Sequence, residues 1–302
     1  MKRRHILCLV GLILSAAVTV LALAPAERTV QDHSGWMGML PDETELTGMT
    51  IPGTHDSGAL YSFAGVSGQC QSATVGQQLK MGVRFLDIRL QLDHDELKVV
   101  HSFVDQKQTF REVLDTIALF IRENPSEFLL LSLKEDNSPK DSSVPFSVRL
   151  EEMLSGYTDV IVPDSGLPEH LGDARGKIFL LSRYDNASVG IPAYHGWKDS
   201  AAFALGSMYI QDHYEISEIS AKQNDILAAL EEAALSEEML LMNFTSCYFD
   251  HGFPPMSAAA PARTINPWLA EFCRNAEFCR GIFICDYMTS ELASVLLERN
   301  FS

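Results

Sequence analysis

Short apolar runs that end in a charged residue or a histidine recur along this chain, and they constrain its fold more than any other feature. The runs fall at 46–51, 83–90, 97–101, 128–133, 177–184, 207–212, 239–245 and 281–287. Most are apolar nearly throughout, as strands buried on both faces of a parallel sheet are. Helical stretches lie between them. Residues 109–123 put Phe110, Val113, Leu114, Ile117, Phe120 and Ile121 on one face. Residues 217–235 carry Ile219, Ile226, Leu227 and Leu230, with Ser217 expected as N-cap and Glu218 in the first turn. Segments 143–154, 264–274 and 289–299 read as weaker helices. Eight strands alternating with helices predict an α/β fold, a single irregular (β/α)8 TIM-type barrel. A doubly wound open sheet is the competing arrangement.

The strand ends favour the barrel. In chain order they carry His55 and Asp56, Asp87 and Arg89, His101, Lys134 and Glu135, Arg183, Asp212, and Asp286. Barrel sites are assembled at the C-terminal ends of strands. Any one of these residues could be a solvated strand end. So many charges within apolar runs would be costly unless they meet and pair.

Residues 1–26 stand apart. Lys2, Arg3 and Arg4 precede an apolar run over 6–24, and Ala22-Leu23-Ala24 supplies small residues for cleavage. This pattern predicts a secretory signal peptide, with an uncleaved membrane anchor as the alternative, since 19 apolar residues suffice to span a bilayer. No later run is long enough. Residues 27–302 are expected to form one catalytic domain, with no linker or repeat to divide it. The chain carries a net charge of −17, and removal of the three cations in 1–26 makes the remainder more acidic still. That excludes nucleic acid as a partner and argues against electrostatic adhesion to anionic lipid. Of the cysteines, Cys273 and Cys279 are spaced for a small disulfide loop, Cys285 reads as a core thiol, and no pair has zinc spacing.

Three segments carry chemistry. In IPGTHDSG, Pro52 and Gly53 are expected to turn the chain directly after a strand and so present His55. In GVRFLDIR, Asp87 and Arg89 fall on one side of a strand, where arginine's fork suits phosphate oxygens. LKVVH brings a second histidine, His101, on what reads as the next strand.

These segments, with LLLSLKED, GKIFLLSRYDN, YIQDHY and FICDY in the same order, resemble the X region of the bacterial-type phosphatidylinositol-specific phospholipases C over about residues 46–286. The resemblance implies cleavage of phosphatidylinositol to diacylglycerol and inositol 1,2-cyclic phosphate, by attack of the substrate's own 2-hydroxyl. It implies His55 as general base oriented by Asp286, His101 paired with Asp56 as general acid, and Arg89 holding the phosphate. Lys134, Arg183, Asp212 and Tyr214 match positions around the inositol ring, and Asp87, paired with Arg89 on its strand, is expected among the substrate contacts. The calcium-dependent relatives carry acidic ligands where this chain has Arg89 and Lys134, so no metal and no cofactor is expected. The protein is expected to be secreted and monomeric. It should touch membranes or micelles transiently through apolar loops around Tyr61, Phe63 and 253–256, with Trp197 a further candidate. The competing functions are another phosphodiester-cleaving barrel, of glycerophosphodiester or lysolipid type, and a non-catalytic phosphoinositide-binding protein.

Overall fold

The computed structural model describes residues 31–63, 68–164, 166–236, 238–251 and 256–301. The expected signal peptide and the segment 253–255 lie outside them. In chain order the strands are β1 (Thr50–Thr54), β2 (Phe85–Asp93), β3 (Glu96–His101), β4 (Val104–Thr109), β5 (Leu129–Lys140), β6 (Ile161–Val162), β7 (Ile178–Arg183), β8 (Ile191–Pro192), β9 (Ala202–Leu205), β10 (Met208–Gln211), β11 (Glu215–Ile216), β12 (Leu240–Phe244), β13 (Tyr248–Phe249) and β14 (Gly281–Cys285). The helices are α1 (Val75–Lys80), α2 (Phe110–Glu123), α3 (Phe146–Leu154), α4 (Leu171–Ala174), α5 (Ile219–Leu235), α6 (Ala259–Asn275) and α7 (Ser290–Glu298).

Parallel pairing runs β7–β5–β2–β1–β14–β12–β10. The last strand lies beside the first, as barrel closure requires; a doubly wound sheet would set a middle strand there. The barrel is irregular. Antiparallel β9 flanks β10, short β6 and β8 flank β7, and among the described residues no backbone pairing bridges the two sides.

Two expected strands are corrected. Residues 97–101 do not form a barrel stave. They form β3, antiparallel to β2, and β3 folds back again on β4. His94 and Asp95 both take positive φ, 53° and 60°, and a two-residue turn of that kind returns a chain antiparallel to itself. His101 therefore projects from an appended hairpin. The second correction concerns residues 46–51: Leu46–Gly48 is a 3₁₀ turn, and Pro52 and Gly53 sit inside β1. Gly53 is required there by close packing. A Cβ at this position would lie 3.1 Å from Ile282, Ile284 and Phe85. The turn comes only after β1 has ended, at Asp56 with φ 43°. Helix α5 also begins later than expected, with Glu218 rather than Ser217 at its N-cap.

Strand alternation sorts the side chains. Leu86, Ile88, Leu129, Leu131, Leu133, Ile178 and Leu180 face the helices. Ile51, Phe85, Leu130, Phe179, Leu181, Ile210, Met242, Phe244, Ile282 and Ile284 fill the barrel's lower interior. Above them, on the same inward face, stand Asp87, Arg89, Ser132 and Lys134. Helix α2 is fixed by a capping box between Thr109 and Glu112. All five described cysteines are buried thiols, and Cys273 and Cys279 face each other with sulfurs 3.0 Å apart.

Arg84 locks the lower end. It is fully buried, bonds Glu127 Oε2 through Nε and Nη2 at 2.9 and 2.7 Å, and donates to the carbonyls of Leu79, Val83, His33 and Ser34. Glu127→Ala leaves that charge unpaired and should cost about 3–5 kcal/mol of stability. Denaturant unfolding measures it; a loss below about 1 kcal/mol would mean the carbonyls alone suffice.

Candidate active site

A cavity of about 360 Å³ opens at the C-terminal ends of the strands. Eight of the ten residues singled out in the sequence line it: His55, Arg89, His101, Lys134, Arg183, Asp212, Tyr214 and Asp286. Asp56 and Asp87 lie beneath them, at 1% and 0% exposure. Asp87, expected to touch a substrate, has no exposed surface with which to do so.

Asp87 instead ties the parts together. Its Oδ1 accepts from Ser132 Oγ at 3.0 Å and meets Arg183 Nη1 at 3.5 Å; its Oδ2 meets Arg89 Nε at 3.5 Å and accepts from the Asp56 amide at 3.3 Å. Burial alone would raise its pKa, but Arg89 and Arg183 outweigh that and hold it well below the usual carboxylate range.

His55 leaves β1 with its orientation set at both nitrogens. Nδ1 donates to Asp286 Oδ1 at 2.8 Å, which leaves Nε2 to accept from Arg89 Nη2 at 2.7 Å. Asp286 sits just past β14, the strand paired with β1, so the two partners arrive from adjacent staves. Gln71 binds the ends of both strands, donating to the His55 and Cys285 carbonyls at 2.8 Å each. Burial opposes a charge on His55, yet the charge and hydrogen bond of Asp286 prevail and its pKa is raised.

His101 approaches from the hairpin. Its Nδ1 donates to the Gly68 carbonyl at 3.0 Å, and its Nε2 stands 3.5 Å from Asp56 Oδ2. The same oxygen lies 3.7 Å from His55 Nε2 and 3.1 Å from Arg89 Nε. Arg89 thus shares one carboxylate oxygen with both imidazoles. Burial would lower its pKa, but Asp56, Asp87 and Asp136 raise it well above the usual value.

Asp136 was missed in the sequence, although it ends the LLLSLKED block. It bonds Lys134 Nζ at 2.7 Å, lies 3.8 Å from Arg89 and accepts from the Ser102 amide at 2.8 Å, beside His101. Arg89 and Lys134 bring its pKa down to about 2 against the effect of burial. Trp197, a further candidate for membrane contact, lines the cavity. Its ring lies 3.6 Å from the Arg183 guanidinium and its N–H donates to Asp212 at 3.1 Å. Tyr214 donates to Asp199, and its ring leans on Tyr248, a further lining residue. No local pattern tied Trp197 or Tyr248 to the cavity; Trp197 arrives on a loop and Tyr248 on the short strand β13. Tyr61, Phe63, Phe103 and Met256 are exposed, Phe63 at 62% and Phe103 at 67%, and Met256 lines the cavity.

Fold and site together define a TIM-type barrel with a histidine–carboxylate–arginine centre at its mouth. Residues 49–184 match the model of the phosphatidylinositol-specific phospholipase C X domain. The chain is 27% identical over 275 residues to a 1-phosphatidylinositol phosphodiesterase of Listeria monocytogenes, covering 88% of this chain and 84% of that one. It is 28% identical over 282 residues to the enzyme of the same name from Staphylococcus aureus strain Newman, covering 83% and 87%. A solved mutant of phosphatidylinositol-specific phospholipase C from Staphylococcus aureus superposes with a TM-score of 0.75 at 26% identity, over 87% of this chain and 97% of that one. Residues 49–184 thus carry the X-domain pattern of the phosphatidylinositol-specific phospholipases C, and most of the chain is similar to the bacterial enzymes.

The raised His55 pKa has a definite sign. The folded state favours the imidazolium, so the pair with Asp286 stabilises the fold below the unfolded value of 6.5 and loses that contribution as pH rises through the raised folded value. Proton NMR titration should place His55 above 6.5, and Asp286→Asn should lower it, because burial then acts without the carboxylate. A titration unmoved by that substitution would remove Asp286 as the cause.

Proposed function

We propose that this chain is a phosphatidylinositol-specific phospholipase C that needs no metal. It cleaves phosphatidylinositol to diacylglycerol and inositol 1,2-cyclic phosphate. One observation carries the reading: two imidazoles, His55 and His101, and the Arg89 guanidinium all approach the same Asp56 oxygen.

His55 Nε2 holds the lone pair that takes the proton of the inositol 2-hydroxyl, while Asp286 balances the charge that forms on the ring. The attacking oxygen belongs to the substrate, so the enzyme supplies no nucleophile and the reaction begins as an intramolecular step. Arg89 exchanges its bond to His55 for a non-bridging phosphate oxygen and meets the growing negative charge. His101 uses Nε2 to protonate the leaving glycerol oxygen, because the Gly68 carbonyl occupies Nδ1. Hydrolysis of the cyclic phosphate runs the pair in reverse. Asp87 positions Arg89 and Arg183 rather than touching substrate. Lys134, Arg183 and Asp212 meet the ring hydroxyls, and Tyr214 offers it an aromatic face. Burial and nearby Arg89 lower the Lys134 pKa, as expected of a cation crowded by another cation. A calcium ion would have to enter between those two positive side chains, which its oxygen-seeking chemistry opposes.

Exposed Tyr61, Phe63, Phe103 and Met256 meet the lipid surface briefly, since the acidic chain has little electrostatic hold on anionic lipid. Residues 1–26 export the protein. Among the described residues no helix is long and apolar enough to cross a membrane.

Phosphorus NMR with phosphatidylinositol micelles in excess EDTA should show the cyclic 1,2-phosphate accumulating. Activity that returns only with calcium would transfer the role of Arg89 to a metal. In the same assay His55→Ala and His101→Ala should each lose about 10²–10⁴-fold in rate while circular dichroism stays unchanged. Near wild-type turnover by either variant would overturn the acid–base assignment.

A further inference from the structure

Cys70 takes no part in the chemistry above, yet it lines the cavity. It is held on both sides of its backbone, its amide donating to the Ala59 carbonyl at 2.9 Å and its carbonyl accepting from the Tyr287 amide at 2.7 Å. The sulfur lies 3.9 Å from His101 Nδ1. Ligand atoms of Asp56, Cys70 and His101 all fall within 4.8 Å of one another, as do those of His55, Cys70 and Asp286.

The two triads are not equivalent. In the second, Asp286 and Arg89 already hold both nitrogens of His55. In the first, Asp56 is 1% exposed and its Oδ2 accepts no hydrogen bond, because the neighbouring cationic groups approach without the alignment to donate. A buried carboxylate oxygen, an imidazole and a thiol thus converge where the oxygen has charged neighbours but no hydrogen bond. Arg89 and Lys134 repel any cation, and a lone carboxylate gives a hard ion too little to offset that. Thiolate and imidazole bind a soft ion strongly enough to oppose the repulsion.

We infer that Asp56, Cys70 and His101 form an inhibitory site for a thiophilic divalent cation of the zinc or cadmium type. Binding forms a metal–sulfur bond and releases the thiol proton to solvent, with water completing the coordination. The bound ion takes the acid, His101, out of the reaction. That consequence rests on the proposed function; the binding itself does not.

The test uses the purified protein with zinc or cadmium salts in a metal-buffered solution. Zinc should suppress phosphatidylinositol cleavage, and EDTA should restore it, while magnesium and calcium at the same concentration should have no effect. Cys70→Ser and Cys70→Ala should remain active and require about tenfold or more zinc for the same inhibition. Cadmium should give an ultraviolet thiolate charge-transfer band that either substitution removes. Inhibition of the Cys70 variants at the wild-type zinc concentration, or a cadmium band that survives in them, would overturn the site. Circular dichroism of the two variants separates a lost site from a lost fold. The band appears whether or not the lipid is a substrate, so failure of the metal site and failure of the phospholipase assignment are read separately.

Discussion

Asp87 carries a full negative charge with none of its surface exposed, a state tolerable only where cations and donors converge on it. The groups that converge come from different staves: the Asp56 amide from the end of β1, Arg89 from β2, Ser132 from β5 and Arg183 from β7. Each is drawn inward by the same charge. Arg89 is thereby held against His55, and Arg183 against Trp197. The apolar layers of the lower barrel set the height at which these groups stand, and Asp87 sets their direction. Arg84 and Glu127 do comparable work at the opposite end, where no chemistry depends on the result.

A separation between stability and chemistry runs along β2. Arg84 and Arg89 sit five residues apart in one strand motif. The first faces backbone carbonyls and one carboxylate with no solvent in reach. The second is shared among Asp56, Asp87 and Asp136 and is partly open to the cavity. A guanidinium divided among three carboxylates, none in an ideal fork, can transfer a bond to a phosphate more readily than one held bidentate. The site is ordered without being saturated.

Much of this was legible in the sequence. The inward pairing of Asp87 and Arg89 follows from the two-residue period of a strand, and the polar strand ends marked the mouth before any coordinates did. What was not legible depended on partners far along the chain. The run LKVVH is apolar enough for a parallel stave, and nothing in it fixes the direction of its neighbour; the turn at His94 and Asp95 decides that, with residues that only modestly favour positive φ. Pro52 and Gly53 looked like a turn because composition cannot report that Ile282, Ile284 and Phe85 close around the glycine. Trp197 drew attention as an aromatic in a loop, and only the fold shows the guanidinium it covers.

The hairpin that carries His101 gives the two histidines different supports. His55 stands just past β1, a stave with a parallel neighbour on either side. His101 ends β3, which lies between β2 and β4, and the turn after it is fastened by Ser102 through the Asp136 carboxylate at 2.8 Å and the Asn137 amide at 2.6 Å. One ring is placed by the barrel itself and the other by an appendage to it. A change in length or sequence at the hairpin turn therefore shifts His101 against its neighbours and leaves the bearing of His55 as it was.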